Sequence, residues 1–279
     1  MPFVLLVVLL AFLILLLALL LLPKQPTNDA PWKWDFARMA HGEISGDTLA
    51  LHNVRDTRYP TPEDPENPPG YTVRWETRQY DLSKVKRLWY VVESFSPLEV
   101  VAHTLLSFEF EGGEFLAVSV EARLEQSESY GIVTGLLRNF ELSYLFGDER
   151  DFLARRAVYQ GHDVYLYPLV TPAWEVREVL AQMVAEANAL LDTPQFYNSI
   201  TKNCTNALLR HANRVRPDSF RWWEPAQVLP GLSDKMLFEK GWIATDVPEE
   251  RLREQFQIKE KARKYKDDSD FSQKIRTGM

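Results

Sequence analysis

The 279 residues contain one cysteine, Cys204, and its neighbours define what it can do. From Asn203 onward the pattern is helical. Leu208, Leu209, Ala212 and Val215 recur on one face, and Asn203 is a good N-cap residue. Arg210, His211, Arg214 and Arg216 lie toward the other end, where cations suit the helix dipole. Cys204 is thus expected in the first turn, where backbone N–H groups favour an anion. Such a setting lowers a thiol pKa from its usual value of about 8.5. The competing expectation is a small buried residue with no chemistry.

A thiolate needs a base, and one hairpin offers it. Val100–Phe110 and Glu114–Arg123 read as two strands around Glu111-Gly112-Gly113. Alternate residues share a face, and the apolar faces must meet. That requirement allows Phe110 opposite Glu114, a register that places His103 opposite Glu121. A slip of two residues would put Arg123 opposite His103 instead. A carboxylate beside an imidazole fixes its tautomer and stabilises the imidazolium. The plain alternative is a cross-strand surface pair contributing under about 1 kcal/mol.

The surrounding elements must bring these two pieces together. Phe3–Leu22 is an unbroken apolar run of bilayer length, read as an uncleaved transmembrane anchor within residues 1–23. Residues 24–31 read as a linker, and 32–279 as one folded domain. Lys24 and Lys33 alone do not settle the orientation. A hairpin is expected over Ala40–Arg55, followed by an exposed proline-rich loop from Tyr59 to Gly70. Further strands are expected over Arg87–Phe95, Glu141–Phe146 and Asp163–Leu169, with a short helix starting near Asp148. A long helix with Thr171 as cap and Pro172 at its first position should end before Pro194. The aromatic segment Phe220–Trp242 should pack on the domain. The charge-rich chain from Glu249 onward reads as a solvated helix and tail. A sheet with segregated helices makes the fold class α+β.

Several functions are excluded or unsupported. A net charge of −7 argues against nucleic acid as a partner. One cysteine makes no internal disulfide and no multi-cysteine zinc site. The five histidines are scattered, so no metal is expected. No glycine-rich phosphate loop suggests a cofactor.

Taken together, several motifs resemble one family. They are His103-Thr104-Leu105-Leu106-Ser107-Phe108-Glu109-Phe110, Ser119-Val120-Glu121-Ala122-Arg123, Tyr197-Asn198 and Asn203-Cys204-Thr205. Asn53-Val54-Arg55-Asp56, Asp148-Glu149-Arg150-Asp151, Tyr165-Leu166-Tyr167-Pro168 and Phe271-Ser272-Gln273-Lys274-Ile275-Arg276 fit as well. The family is the N-terminal periplasmic domain of Lnb, the bacterial lipoprotein intramolecular transacylase. Lnb itself continues into a large C-terminal membrane portion that this sequence does not contain. The order of residues, with His103 before Asn203-Cys204, is also similar to circularly permuted, NlpC-type papain-like enzymes such as the lecithin:retinol acyltransferase group.

The resemblance implies a permuted papain-like domain in which an antiparallel sheet packs on helices, preceded by one transmembrane helix. It implies Cys204 as nucleophile and His103 as general base. Glu121 is the expected orienting group, with Arg123 or Ser119 in reserve, and Asn203 a helix cap rather than a catalytic group. The implied location is the inner membrane, with the domain in the periplasm. The implied activity is acyl transfer or hydrolysis on an acylated lipid or lipoprotein through an acyl-thioester. A cell-wall peptidase or amidase, or a non-catalytic binding module of the envelope, are the alternatives.

Overall fold

The computed structural model describes residues 25–59 and 72–279, together with Val7 and residues 10–12 of the apolar run, which are helical. The rest of the expected anchor and the proline-rich segment from Pro60 to Gly70 lie outside the described residues. Among the described residues no helix is long and apolar enough to cross a membrane.

The domain is a mixed α and β fold built on one mostly antiparallel sheet. Its strands are β1 (His41–Ser45), β2 (Thr48–Arg58), β3 (Thr72–Asp81), β4 (Val85–Ser94), β5 (His103–Phe110), β6 (Phe115–Arg123), β7 (Glu141–Gly147) and β8 (Asp163–Pro168). Their order is β1-β2-β7-β6-β5-β4-β8, and β3 pairs with β2. The β5–β6 hairpin has the expected register, with Leu105 opposite Ser119 and Phe108 opposite Leu116. Gly112 and Gly113 both have φ of +86°, a conformation that favours glycine and closes the three-residue loop. Strand β5 begins at His103 rather than Val100, because Val101 is held in a turn by its N–H bond to the Leu98 carbonyl.

β2 and β7 meet in parallel at a single pair, Arg55 and Gly147. Glycine is required at that junction. A Cβ on Gly147 would run into the Phe152 ring and come within 2.9 Å of the Arg55 carbonyl.

Helices cover both faces of the sheet. On the first face, Leu106, Phe108, Val118, Val120 and Tyr144 pack against α3 (Ala173–Asp192) and α4 (Cys204–Val215). Helix α3 carries Val176, Val179, Leu180, Met183, Val184 and Ala187 on its buried stripe. Its N-cap is Pro172 rather than Thr171. A short α1 (Ile132–Leu136) precedes β7.

On the second face, Val91, Leu105, Ala117 and Leu145 pack against α2 (Glu149–Ala154) and the chain from Ile258 onward. The expectation of a solvated carboxy-terminal tail is therefore corrected. Short helices α6 (Leu252–Phe256), α7 (Lys259–Tyr265) and α8 (Phe271–Lys274) follow α5 (Ser233–Glu239). Leu252 and Phe256 of α6 are buried in the first-face core, whereas Ile258, Ala262, Phe271 and Ile275 are buried on the second face. The apolar residues are sparse but fall on the inward side, while most of the charges face water. Arg276 locks this segment down, bonding Glu149 while its guanidinium lies 4.5 Å from the Trp89 ring centre and 4.1 Å from that of Phe115.

Candidate functional site

Strand β4 ends, β5 begins and β6 ends at the same edge of the sheet, which brings Glu93, His103 and Glu121 together. The amino terminus of α4 arrives at that edge from the first face. Asn203 and Asn206 form a reciprocal capping box, with the Asn206 N–H donating to Asn203 Oδ1 at 2.8 Å and the Asn203 N–H to Asn206 Oδ1 at 3.2 Å. The Asn203 amide also donates to the Ser199 and Gln227 carbonyls. Cys204 is consequently the first residue of the helix, held rigidly, and Thr205 anchors the turn through its hydroxyl, 2.9 Å from that of Thr104.

His103 and Cys204 lie close enough for the charge on each to shift the other, and Thr104 also faces the sulfur. The imidazole Nε2 lies 2.7 Å from Ser119 Oγ and 3.1 Å from Glu121 Oε1. Ser119 in turn donates to Glu121 at 2.6 Å. With Nε2 engaged by the carboxylate, Nδ1 is the ring nitrogen left for the sulfur.

The electrostatics follow from this arrangement. Burial pushes the Cys204 thiol up, but the nearby His103 outweighs burial, and the pKa is lowered from its ordinary value. Burial pushes His103 down, but Glu121 and the thiolate outweigh it, and its pKa is raised well above the usual range. Glu121 is held far below the ordinary carboxylate value despite its burial, chiefly by His103 and Arg156. Both shifts favour the thiolate–imidazolium form of the pair.

Three further residues complete the network. Arg156 donates from Nε to Glu93 at 2.7 Å and from Nη2 to Glu121 at 2.9 Å. Glu93 also meets His162 Nδ1 at 2.7 Å. Burial raises Glu93, but Arg156, His162 and His103 bring it down to about 2. Arg156 sits in a single π-helical turn, Arg155–Tyr159, that continues α2; such turns recur at functional sites. Tyr197 has its hydroxyl pKa raised well above the normal range, by burial first and then by Cys204 and Tyr130, so it remains a neutral donor.

Of the residues named from sequence, the structure brings together Cys204, His103, Glu121, Ser119 and Asn203. Arg123 is elsewhere. Its guanidinium donates to the Phe36 carbonyl and lies 3.9 Å from the Trp32 ring centre. Sequence reasoning missed Glu93, Arg156 and His162. Glu93 did leave a signal, a carboxylate beside Val91 and Val92 in an otherwise apolar strand. Arg156 and His162 left none, since their convergence depends on the π turn.

A cavity of about 770 Å³ opens over the thiol, in the range of ligand sites. Its lining includes Glu93, Arg156 and His162 as well as the apolar Ile132, Leu136, Val228 and Leu229. No group of histidine, cysteine and carboxylate side chains capable of holding a metal occurs among the described residues.

Comparison with known proteins adds one finding. A family model described as the Lnb N-terminal periplasmic domain matches residues 71–230. No curated protein and no solved structure matches the chain. The matched span covers more than half of the sequence and contains His103, Glu121 and Cys204, and the chain belongs to the Lnb N-terminal periplasmic domain family.

Proposed function

We propose that this periplasmic, envelope-associated domain is a papain-like thiol acyltransferase or hydrolase. Its substrate would be an acylated lipid or lipoprotein, and the apolar run Phe3–Leu22 would anchor it in the inner membrane. The observation that carries this reading is the Cys204–His103–Glu121 constellation lining a cavity that apolar side chains also line.

The thiolate attacks the acyl carbonyl, forming a C–S bond as the carbonyl π pair moves to oxygen. In a helix the first N–H groups have no carbonyl partner. The capping box occupies those of Asn203 and Asn206. The N–H groups of Cys204 and Thr205 remain to receive the oxyanion. Collapse breaks the bond to the leaving group, which takes the proton from His103. The neutral imidazole then removes a proton from an amine, an alcohol or water as that acceptor attacks the thioester. Expulsion of the thiolate restores the ion pair. Glu121 and Ser119 hold the ring in the required orientation throughout, and Arg156 positions Glu121.

The test incubates the full chain with a diacylated lipopeptide and, separately, with peptidoglycan fragments. Deacylation or acyl transfer that is lost in Cys204→Ala and in His103→Ala is expected. Cleavage of the cell-wall peptide instead would make the protein a peptidase or amidase. No change in either substrate would make it a binding module.

A further inference from the structure

The apolar lining of the cavity does not stop at its mouth. Helix α1 exposes Ile132, Val133 and Leu136, and Leu137 follows. Val133 alone is 70% exposed. Gly135 is the inward residue of this turn, since a Cβ there would meet Ser199 Oγ and Tyr197. Ser199 Oγ donates to the Ile132 carbonyl at 2.9 Å and fixes α1 against the loop that leads into Cys204. Ile200, on that loop, and Val228 are also exposed, and both line the cavity. Close along the chain from Val228 are Trp222, 81% exposed, and Trp223, with Arg221 against the Trp223 ring. Gln227 joins this segment to the site, bonding both the Arg221 carbonyl and the Asn206 amide. Exposed apolar residues gathered at a cavity mouth mark an interaction site, and exposed tryptophans suit a membrane–water interface.

The path of the chain identifies the partner. Thr27 donates its N–H to Glu141, and Asn28 donates to the Leu190 and Leu191 carbonyls, so the chain is fixed to the domain there. Glu141 bridges to Phe196, and Tyr197, the next residue, bonds the Phe140 carbonyl and lines the cavity. Only four residues lie between Leu22, the end of the apolar run, and Thr27, which makes five Cα–Cα steps. Fully extended, they reach about 18 Å at most. If that run spans the bilayer, the wall of the cavity is tied close to the lipid surface.

We infer that the rim formed by α1, Ile200 and Val228 seats in the bilayer surface, so that an acyl chain passes from lipid into the Cys204 cavity without crossing water. This inference rests on the anchored reading above for its geometry, and on the exposed residues for its chemistry. The occupant is the apolar boundary of a phospholipid leaflet. The rim itself carries no charge, so seating requires no anionic lipid.

The test uses the full chain carrying Cys204→Ser, which removes the only native thiol. An environment-sensitive fluorophore is attached at Val133→Cys or, as a control, at Glu111→Cys. Glu111 lies in the β5–β6 turn, eight residues from His103 along β5 and roughly 26 Å away at the far end of the sheet. Each protein is reconstituted into phosphatidylcholine vesicles containing lipid with a quencher high on the acyl chain. The expected result is a blue shift and several-fold stronger quenching at Val133 than at Glu111, unchanged when salt is raised. Equal and weak quenching at both positions, in protein that floats with the vesicles, would overturn the seating but leave the anchor intact. Protein that fails to float would overturn both. Neither readout depends on catalysis, so a failure of the acyl-transfer reading stays distinguishable.

Discussion

The two faces of the central sheet are both buried, but by different means. The first face is packed by α3 and α4 through aliphatic and aromatic side chains such as Phe108, Val120 and Met183. The second face carries Glu93, His103, Ser107, Glu109, Ser119 and Glu121 among its apolar residues, and these are covered nonetheless. Arg156 satisfies Glu93 and Glu121. Lys86 and Trp89 satisfy Glu109. Ser107 and Arg276 satisfy Glu149. A dry face tolerates substitutions that keep its volume. A polar buried face does not, because each partner removed leaves another group desolvated. The candidate site is the place where the polar face reaches the sheet edge and meets a helix amino terminus arriving from the apolar side.

Substitutions can break this contrast. The largest stability loss is expected on the polar side, at Asp151, which holds Arg55 through two hydrogen bonds of 2.9 and 3.1 Å and also accepts from the Thr57 N–H and the Tyr59 hydroxyl. Asp151→Ala strands a fully buried guanidinium and should cost about 3–5 kcal/mol, read by urea unfolding. On the apolar side Met183→Ala removes only packing and should cost about 2–5 kcal/mol, with a smaller loss if the core relaxes. Gly147→Ala should cost about 1–3 kcal/mol, because the β2–β7 junction must open to admit the methyl group.

The smallest effect sharpens the contrast through pH. Glu93 is held at about 2 in the folded protein, below its ordinary value of 4.5. A depressed carboxylate contributes stability that is fully present above its unfolded pKa and is lost as pH falls through the folded one. Unfolding midpoints of the native chain should therefore drop between pH 4.5 and 2, and Glu93→Gln should flatten that slope. A slope unchanged by the substitution would place the acid sensitivity elsewhere.

Much of the first face was legible in the sequence, because its information is periodic. The β5–β6 register followed from matching apolar faces, and the cap at Asn203 from residue type alone. The second face was legible only in part. Strict alternation in β5 marks His103, Ser107 and Glu109 as outward, and in most sheets that means water. Here a late, charge-rich segment returns to cover them, and its inward residues, Phe271 and Ile275, are too few to show against so many charges. Arg123 and Glu121 share a face in the sequence pattern, yet only Glu121 faces the histidine. Arg123 is drawn to Trp32 and the Phe36 carbonyl, partners contributed by a segment 87 or more residues away. Arg156 reaches two strands at once because of a π turn, which no local signal announces.

The central claim is that His103 maintains Cys204 as a thiolate. The most direct measurement is the pH dependence of Cys204 alkylation by iodoacetamide in the full chain, native and His103→Ala. The account predicts a native thiol whose alkylation profile lies below the ordinary thiol value of about 8.5 and moves up in His103→Ala. A profile at the ordinary value in both proteins, or a thiol that reacts only after unfolding, would contradict it.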